Sequence, residues 1–339
     1  MRTSKQVRVG IIGAGRIGKL HAENLAFSVR NATPVAITDI IRAAAEETAV
    51  RCNIPVADDY QIIFRNPEID AIVICSSTDT HAQLVEQAAA AGKHIFCEKP
   101  IDLDLAKIKR ALRAAEKAGV KFQVGFNRRF DSNFRRIKEL IVSGQIGEPH
   151  LLRITSRDPA PPPVEYIASS GGIFLDMTIH DFDMARYLVA REVEEVYAVG
   201  SVLIDPKFRD AGDVDTAVTL LKFDNGAIGV IDNSRKAVYG YDQRVEIFGS
   251  TGMAHALNKA PDTVALLNSE TVQTAKPLYF FLERYKDSFI AEMQAFIDSI
   301  INDTDPPVTG NDGLMPVKIG LAAKKSLLEN RPVKLSEIG

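Results

Sequence analysis

The sequence predicts an α/β protein of two domains: a doubly wound parallel sheet, followed by an α+β domain on a large, mainly antiparallel open sheet. Up to about residue 126, five short apolar runs alternate with helical patterns, as in a parallel sheet covered by helices. From Glu194 onward, strand-like runs recur without long helices between them, which indicates antiparallel pairing. A length of 339 residues is sufficient for two domains with sizeable cores.

The first strand pattern runs directly into a glycine-rich turn. Val7–Ile12 is an apolar, β-branched run, and it is followed by Gly13-x-Gly15-x-x-Gly18 and a helical pattern. In such a turn the first glycine permits the bend, the second lets the backbone approach a pyrophosphate, and the third allows close packing of helix on strand. The phosphates would lie at the helix N-terminus, beside Arg16 and Ile17.

An acidic residue at the end of the second apolar run supports a dinucleotide site. Asp39 lies 21 residues after Gly18, where a carboxylate can accept both adenosine ribose hydroxyls. An ordinary βαβ turn is the alternative, but strand, helix and acid all fit a Rossmann-type NAD-binding domain over residues 1–126. NAD is expected rather than NADP, because Asp39 would repel a 2′-phosphate and Ile40 and Ile41 offer no cation, although Arg42 is close.

Polar residues follow the third and fourth strand patterns. Because ligands of open α/β sheets bind beyond the carboxyl ends of the strands, these residues are further candidates for cofactor contacts: Ser76, Ser77, Thr78 and His81 after Ala71–Cys75, and Glu98 and Lys99 after His94–Cys97. Asp79 or Thr80 could equally cap the next helix. Lys99 could reach a substrate oxygen, or it could be a solvated charge. The Lys99-Pro100 bond could be cis or trans.

The second domain is predicted over residues 127–339. It begins with a helix near Phe134–Val142 and a strand at His150–Ser156, after which Arg157 and Asp158 lead into a stiff proline-rich segment. Those two residues could form a solvated ion pair or face a ligand. Further strands are expected at Val196–Leu203, Val214–Phe223, Ala227–Asn233, Arg244–Phe248 and Val264–Leu267, and helices at about 286–301 and 312–329. The last helix could pack back on the first domain.

The segment from Gly171 to Leu188 carries the most chemistry in the second domain. Asp176, His180 and Asp183 are spaced i, i+4 and i+7, which places them on one face of a single helix. Because the rest of that helix is largely apolar, the polar face is expected to line a cleft rather than water. Histidine can take a proton near neutral pH, and a neighbouring carboxylate can orient it. No third ligand supports a metal site.

Composition excludes several functional classes. A formal net charge of −3 gives no general attraction to nucleic acid or anionic membranes. No apolar run approaches the roughly 18 residues of a membrane helix, and the N-terminus shows no signal-peptide pattern. Cys52, Cys75 and Cys97 are best interpreted as structural thiols in a reducing compartment, so the protein is expected in the cytoplasm.

Three motifs in the same order resemble the Gfo/Idh/MocA oxidoreductases: the glycine turn, Cys97-Glu98-Lys99-Pro100, and Asp176-x-x-x-His180. The resemblance covers essentially the whole chain, and the segments at 156–159 and 176–183 are most similar to the inositol 2-dehydrogenase branch. This resemblance implies NAD-dependent oxidation of a ring hydroxyl to a ketone, with Lys99, Asp176 and His180 as catalytic residues and His180 as general base. It also points to a homo-oligomer, expected to be a tetramer.

Other parts of the proposed chemistry stay open at this level. Because the catalytic residues lie in different predicted domains, an interdomain cleft is expected to unite them. Additional substrate contacts are predicted at Arg157, Asp158, Asp183, Tyr239 and Tyr241. Asp158 and Ser156 stand where some inositol dehydrogenases have asparagine and histidine, which leaves the preferred isomer and the physiological direction open. The alternatives are a dehydrogenase of another sugar or polyol, such as an aldose oxidised at C1, and a nonenzymatic NAD-dependent sensor.

Overall fold

The computed structural model describes residues 6–339, with the side chains of Val164, Ala168 and Ser169 excepted, and divides the chain into two compact units. The first unit takes the chain up to Asn127 together with Asp287–Met315; the second comprises Arg128–Lys286 and Pro316–Gly339. Residues 287–315, which the sequence assigned to the second domain, therefore group with the first unit. The N-terminal residues 1–5, on which the absence of a signal-peptide pattern was judged, lie outside the described residues.

The first unit is built on a five-stranded parallel sheet, as the sequence predicted. Its strands are β1 (Val7–Ile12), β2 (Ala32–Thr38), β3 (Ala71–Ile74), β4 (His94–Glu98) and β5 (Phe122–Gly125), in the order β2-β1-β3-β4-β5. The intervening helices are α1 (Arg16–Phe27), α2 (Arg42–Cys52), α3 (Tyr60–Arg65), α4 (Thr78–Ala90) and α5 (Leu105–Ala118). Helix α3 was not anticipated.

Local sequence signals explain where these helices begin and end. The Asp104 carboxylate accepts the Ala106 N–H and caps the start of α5, and Gly119 ends that helix in the left-handed conformation. All four residues of β3 are buried, as in a sheet that is covered on both faces. Local sequence patterns therefore indicate both the buried strand β3 and the ends of a helix such as α5.

The second unit is built on a seven-stranded sheet. After a 3₁₀ turn at Asn127–Phe130, its elements are α6 (Ser132–Val142), β6 (Pro149–Arg157), α7 (Val164–Ser169), α8 (Ile173–Asp176), α9 (Ile179–Val189), β7 (Val193–Ser201), α10 (Lys207–Asp210), β8 (Thr216–Phe223), β9 (Ile228–Ser234), β10 (Asp242–Gly249), β11 (Met253–Ala256), β12 (Ala265–Leu267), β13 (Val272–Thr274) and α11 (Phe281–Arg284). The chain closes with α12 (Lys286–Asn302), α13 (Gly310–Glu329), β14 (Val333–Lys334) and a 3₁₀ turn at Leu335–Glu337.

The sheet order is β11-β10-β6-β9-β8-β7-β14, and every pair is antiparallel except β6 with β9. The prediction of a mainly antiparallel sheet is therefore confirmed. The turn between β8 and β9 uses Gly226 at a φ of 87°, as the Asp-Asn-Gly signal indicated. The strand expected at Val264–Leu267 instead pairs only with β13, in a separate two-stranded sheet.

Helix α12 explains why residues 287–315 belong to the first unit. Its Met293, Phe296 and Ile297 are fully buried in a cluster with Phe96 and other apolar residues of the parallel sheet. Burial of that apolar stripe removes it from water, which is the main favourable contribution to such packing. Within the described chain, no helix is both long and apolar enough to cross a membrane.

Candidate active site

The glycine turn has the geometry that a bound pyrophosphate requires. Gly13 has a φ of 101°, and a Cβ on it would lie 2.5 Å from the Cys75 backbone. A Cβ on Gly18 would lie 2.0 Å from the carbonyl oxygen of Gly13, so the third glycine is required for close packing. Gly15 has open space around its Cα, immediately before the first residue of α1. The turn is therefore closely packed at Gly13 and Gly18 but open at Gly15, which leaves space for phosphate oxygens at the helix N-terminus.

Asp39 is fixed against this turn by two backbone hydrogen bonds. Its carboxylate accepts the N–H of Ala14 at 2.6 Å and the N–H of Ile41 at 2.8 Å. The nearby cation, Arg42, is engaged elsewhere, since its guanidinium pairs with Glu46 at 2.7 Å and with Asp58 at 2.5 Å. This arrangement presents an anion, rather than a free cation, at the end of β2.

The loop after β3 is tied to the loop after β4 through His81. The Ser76 hydroxyl lies 2.7 Å from the Thr80 hydroxyl. His81 is buried, and its Nδ1 and Nε2 lie 2.8 Å and 3.0 Å from the carbonyl oxygens of Pro100 and Ser76. Burial lowers the pKa of His81. His81 therefore joins the two loops predicted to contact the cofactor. The Lys99-Pro100 bond, in the loop after β4, is cis.

Glu98 and Lys99 follow β4 as the sequence predicted. Glu98 is buried, and one carboxylate oxygen lies 2.8 Å from Nε2 of His21, while the other accepts the Lys99 N–H at 3.2 Å. The Lys99 side chain is half-buried. Glu98 thus fixes the backbone from which Lys99 projects.

One group of His, Cys, Asp and Glu side chains among residues 6–339 gathers closely enough to consider a metal ion. His21, Glu98 and Glu292 each place one ligand atom within 4.8 Å of the others. Glu292 is completely buried, and neither of its side-chain carboxyl oxygens has a hydrogen-bond partner within the described chain. Burial and the charge of Glu98 raise the pKa of Glu292 well above its ordinary value. A proton on Glu292 would compete with a metal ion for the carboxylate, so the raised pKa weakens metal binding at this group.

The predicted single helix across Asp176 and His180 is wrong. Helix α8 ends at Asp176, and α9 starts at Ile179 after a two-residue turn. The Thr178 hydroxyl lies 3.1 Å from the Ile173 carbonyl and 2.8 Å from the amide oxygen of Asn233, and such side-chain bonds compete with the helical ladder. Asp176 therefore ends one helix, while His180 and Asp183 belong to the first turns of the next.

Asp176 accepts hydrogen bonds on both carboxylate oxygens. The Tyr166 hydroxyl donates to Oδ1 at 2.8 Å, and Nη2 of Arg235 donates to Oδ2 at 3.0 Å. The other terminal nitrogen of Arg235, Nη1, donates to Asp158 at 3.2 Å. Arg235 thus joins two of the predicted site residues, and His180 lies half-buried four residues after Asp176.

The remaining acidic residues of α9 have arginine partners. Asp183 is 1% exposed and binds Arg129 through both oxygens, at 2.6 to 3.1 Å. Asp181 is fully buried and accepts hydrogen bonds from Arg128 at 2.5 Å and from Asn233 at 2.8 Å. The carboxylate of Asp183, predicted to bind substrate, is therefore used in a buried ion pair with the chain itself.

The other predicted substrate residues divide between exposed and buried positions. Arg157 does not pair with Asp158; it donates to Asp232 at 2.6 Å and to the Tyr239 hydroxyl at 3.1 Å. Tyr239 in turn donates to Asp242 at 2.6 Å. Tyr241 is buried, and burial raises its pKa. Arg157 and Tyr239 therefore belong to one polar network at the ends of β6 and β10.

Sequence reasoning missed three polar residues: Arg128, Tyr166 and Arg235. Arg235 directly follows β9, which runs parallel to β6, and Asp158 directly follows β6. The prediction of a mainly antiparallel sheet did not say which strands are parallel neighbours, and only parallel neighbours bring their carboxyl ends to the same edge. Arg128 and Arg129 are adjacent at the start of the second unit, and this pair of cations could have been recognised as partners for the acidic residues of α9. No sequence signal marks Tyr166.

The parallel sheet, its glycine turn and the carboxylate of Asp39 at the end of β2 are typical of an NAD-binding oxidoreductase. Comparison with known families supports this class: residues 7–126 match the oxidoreductase family with an NAD-binding Rossmann fold, and residues 134–255 match the GFO/IDH/MocA C-terminal domain. The chain belongs to the Gfo/Idh/MocA oxidoreductase family.

Relatives extend over the full length of the chain. The myo-inositol 2-dehydrogenase of Thermotoga maritima is 53% identical over 98% of this chain and 99% of its own length. The NAD⁺-dependent scyllo-inositol 2-dehydrogenase of Bacillus subtilis is 37% identical over 97% of this chain and 96% of its own. The scyllo-inositol dehydrogenase of Lactobacillus casei, solved with NAD(H) and scyllo-inositol, has a TM-score of 0.91 at 34% identity and covers 98% of this chain and 100% of its own.

Proposed function

We propose that the protein is an NAD-dependent inositol 2-dehydrogenase, which oxidises one ring hydroxyl of myo- or scyllo-inositol to the ketone. The observation that carries this proposal is the full-length similarity to proteins with these activities, at up to 53% identity. The site agrees with such a substrate, because a polyol needs many directed hydrogen bonds and the second unit offers arginine, carboxylate and tyrosine groups at the ends of its strands.

His180 removes the hydroxyl proton, Asp176 supports the imidazole, and Lys99 stabilises the charge that develops on the oxygen. When bound, NAD supplies the hydride acceptor. The carboxylate of Asp176 is held by Tyr166 and Arg235, so it keeps a fixed orientation before substrate arrives. This mechanism places the carboxylate beside the imidazole, where its negative charge would favour the imidazolium that His180 becomes.

The residues at the first unit's glycine turn fit NAD: the space at Gly15 admits phosphate, and Arg16, Ile17, Ser77 and Thr78 line the starts of α1 and α4. The carboxylate of Asp39, held at the glycine turn by the Ala14 N–H, would repel the 2′-phosphate of NADP. NAD is therefore expected to give the higher kcat/KM. A higher kcat/KM with NADP would contradict this role of Asp39.

The experiment that tests the activity is a substrate panel. Initial rates of NAD reduction are measured with myo-inositol, scyllo-inositol, D-glucose and D-xylose, for the wild type and for His180→Ala. We expect the inositols to be preferred, and His180→Ala to lower kcat by about 10²–10⁴-fold with NAD still bound. Preference for an aldose would favour C1 oxidation, and near-normal turnover in the variant would revive the sensor hypothesis.

The enzyme is proposed to act as a homo-oligomer, a tetramer, in the cytoplasm. One face of the seven-stranded sheet exposes apolar side chains in facing pairs, such as Val199 with Val218 and Phe248 with Met253. These apolar pairs lie among charged residues of the same face, such as Arg153 and Glu246, and a mixture of this kind suits a subunit interface. The three cysteines are free thiols, which fits a reducing compartment. A monomer by light scattering at micromolar concentration would contradict the assembly.

A further inference from the structure

Arg235 is a buried arginine that directly follows strand β9. Its side chain is 4% exposed, and its backbone N–H donates to the Asp215 carbonyl at 2.8 Å. Strand β9 runs parallel to β6, with Ser234 opposite Arg157. Asp158 is the next residue after β6, and its N–H donates to the Ser234 carbonyl at 2.9 Å. Asp158 and Arg235 therefore leave the same edge of the sheet side by side.

The guanidinium of Arg235 joins two carboxylates from different elements. Nη1 donates to Asp158 at 3.2 Å and Nη2 donates to Asp176, at the end of α8, at 3.0 Å. The planar fork of arginine can hold two acceptors at once, whereas a lysine ammonium is a point charge on a flexible stem. The three groups form what we call the Asp158–Arg235–Asp176 bridge.

The charges of this bridge depend on its central cation. Two neighbouring carboxylates with no cation oppose each other's ionisation, because the charge of each raises the pKa of the other. Burial raises the pKa of Asp158, and the charge of Arg235 opposes that increase. Other ionisable groups that act on the bridge are Asp213, Arg128 and Tyr241, and Tyr166 donates a hydrogen bond to Asp176.

We propose that Arg235 is a positioning residue for the reaction: it holds Asp158 and Asp176 side by side as ionised carboxylates, so that Asp176 keeps the charge and geometry that support His180. This proposal rests on the proposed function, since it assigns a role within the same site. In this role Arg235 acts through the two carboxylates that its guanidinium binds.

The test is the pH profile of kcat/KM for inositol oxidation in wild type and Arg235→Met. Without the cation, one carboxylate holds its proton to higher pH, so the acid limb of the profile is expected to move upward by about 1–3 pH units. A merely structural role for Arg235 would lower thermal stability and leave the limb in place. An unmoved limb in Arg235→Met overturns the proposal.

Two further variants keep the test decisive if Arg235→Met folds poorly. Arg235→Lys keeps the charge but loses the fork, so its acid limb should stay near that of the wild type while kcat falls about tenfold. The double variant Arg235→Met/Asp158→Asn removes one cation and one anion together, and its limb should return toward the wild-type position. A limb in Arg235→Lys displaced as far as in Arg235→Met would contradict the role of charge.

Arg186→Met is the matched control. Arg186 is also a buried arginine of the second unit, and it binds Glu192 through Nε at 2.8 Å and Nη2 at 2.5 Å, away from the bridge. Its replacement should lower thermal stability without moving the acid limb. If it moves the limb as Arg235→Met does, any lost buried arginine has this effect and the proposal fails.

Inositol oxidation by the wild type shows whether a negative result concerns the role of Arg235 or the proposed function itself. Inositol turnover by wild type with an unmoved limb in Arg235→Met rejects only the role of Arg235. Failure of wild type to oxidise any inositol rejects the proposed function. In that case Arg235 is tested by titrating carbon-13-labelled aspartate carboxyl groups, where the loss of Arg235 should raise the midpoint of Asp158 or Asp176; unchanged midpoints reject it.

Discussion

Each compact unit contains a pair of neighbouring carboxyl groups, partly buried in the second unit and buried in the first, and the two pairs have different partners. In the second unit, Asp158 and Asp176 share the guanidinium of Arg235. In the first unit, Glu98 lies beside His21, while the side-chain oxygens of Glu292 have no hydrogen-bond partner within the described chain. In the second unit, both acids therefore have a permanent cation as a partner. In the first unit, only Glu98 has a partner, and that partner is an imidazole.

The difference shows how surroundings decide what a buried acid can do. Arginine stays charged at any physiological pH, so the Asp158–Arg235–Asp176 bridge can present ionised carboxylates to hydroxyl groups. Burial, together with the charge of Glu98, instead raises the pKa of Glu292 and disfavours its ionised form. We therefore propose substrate chemistry for the pair of the second unit, Asp158 and Asp176, whereas Glu292 lies in the core of the first unit beside His21 and Glu98.

The largest expected effect comes from neutralising the acid of the bridge that precedes His180. Asp176→Asn keeps the shape of the side chain but removes the charge that favours the imidazolium, so kcat should fall by about 10²-fold or more. Steady-state rates of NAD reduction with inositol measure this effect. Asp158 continues to pair with Arg235, so the variant should fold; turnover within threefold of wild type would remove Asp176 from the mechanism.

A smaller effect is expected from the other acid of the bridge. Asp158→Asn replaces a carboxylate that only accepts hydrogen bonds with an amide that both donates and accepts. One altered hydrogen bond to a ring hydroxyl is worth about 1.4 kcal/mol, or tenfold, so the ratio of kcat/KM for myo- and scyllo-inositol should change by about that factor. An unchanged ratio would show that Asp158 does not contact the ring.

Much of the fold and part of this site follow from the sequence alone. The glycine turn, Asp39 and the strand ends at Glu98 and Lys99 are local patterns whose physical requirements are visible in the residues themselves. Gly13 and Gly18, for example, meet backbone atoms that leave no room for a side chain. Local patterns of this kind predict the first unit's sheet accurately.

The bridge could not be predicted, because it depends on contacts between segments far apart in the chain. Arg235 and Asp158 meet only because β6 and β9 are parallel neighbours in an otherwise antiparallel sheet. The helix break before His180 depends in part on the distant residue Asn233, whose amide oxygen lies beside Thr178. Periodicity within one segment contains no information on such partners.

The smallest expected effect on catalysis comes from the first unit's pair. Glu292→Gln imitates the neutral carboxyl, so kcat and the KM for NAD should stay within about twofold of wild type. Stability should respond instead. Since the folded pKa of Glu292 lies above its unfolded value, the folded state binds the extra proton, and wild type loses up to about 1.4 kcal/mol per pH unit as pH rises between the two values.

The variant removes that loss. Its Tm relative to wild type should therefore increase from pH 5 to pH 8, as thermal unfolding in both proteins can measure. A Tm difference that does not vary with pH would mean that folding does not raise the pKa of Glu292, and the contrast between the two pairs would fail.

The most direct test of the whole account is a crystal structure of the wild-type protein with NAD and inositol. The account predicts one ring hydroxyl within about 2.6–3.2 Å of both the His180 imidazole and the Lys99 ammonium, with Asp176 still bound to Arg235. An inositol ring bound away from His180, or Asp176 released from Arg235 in the complex, would contradict it.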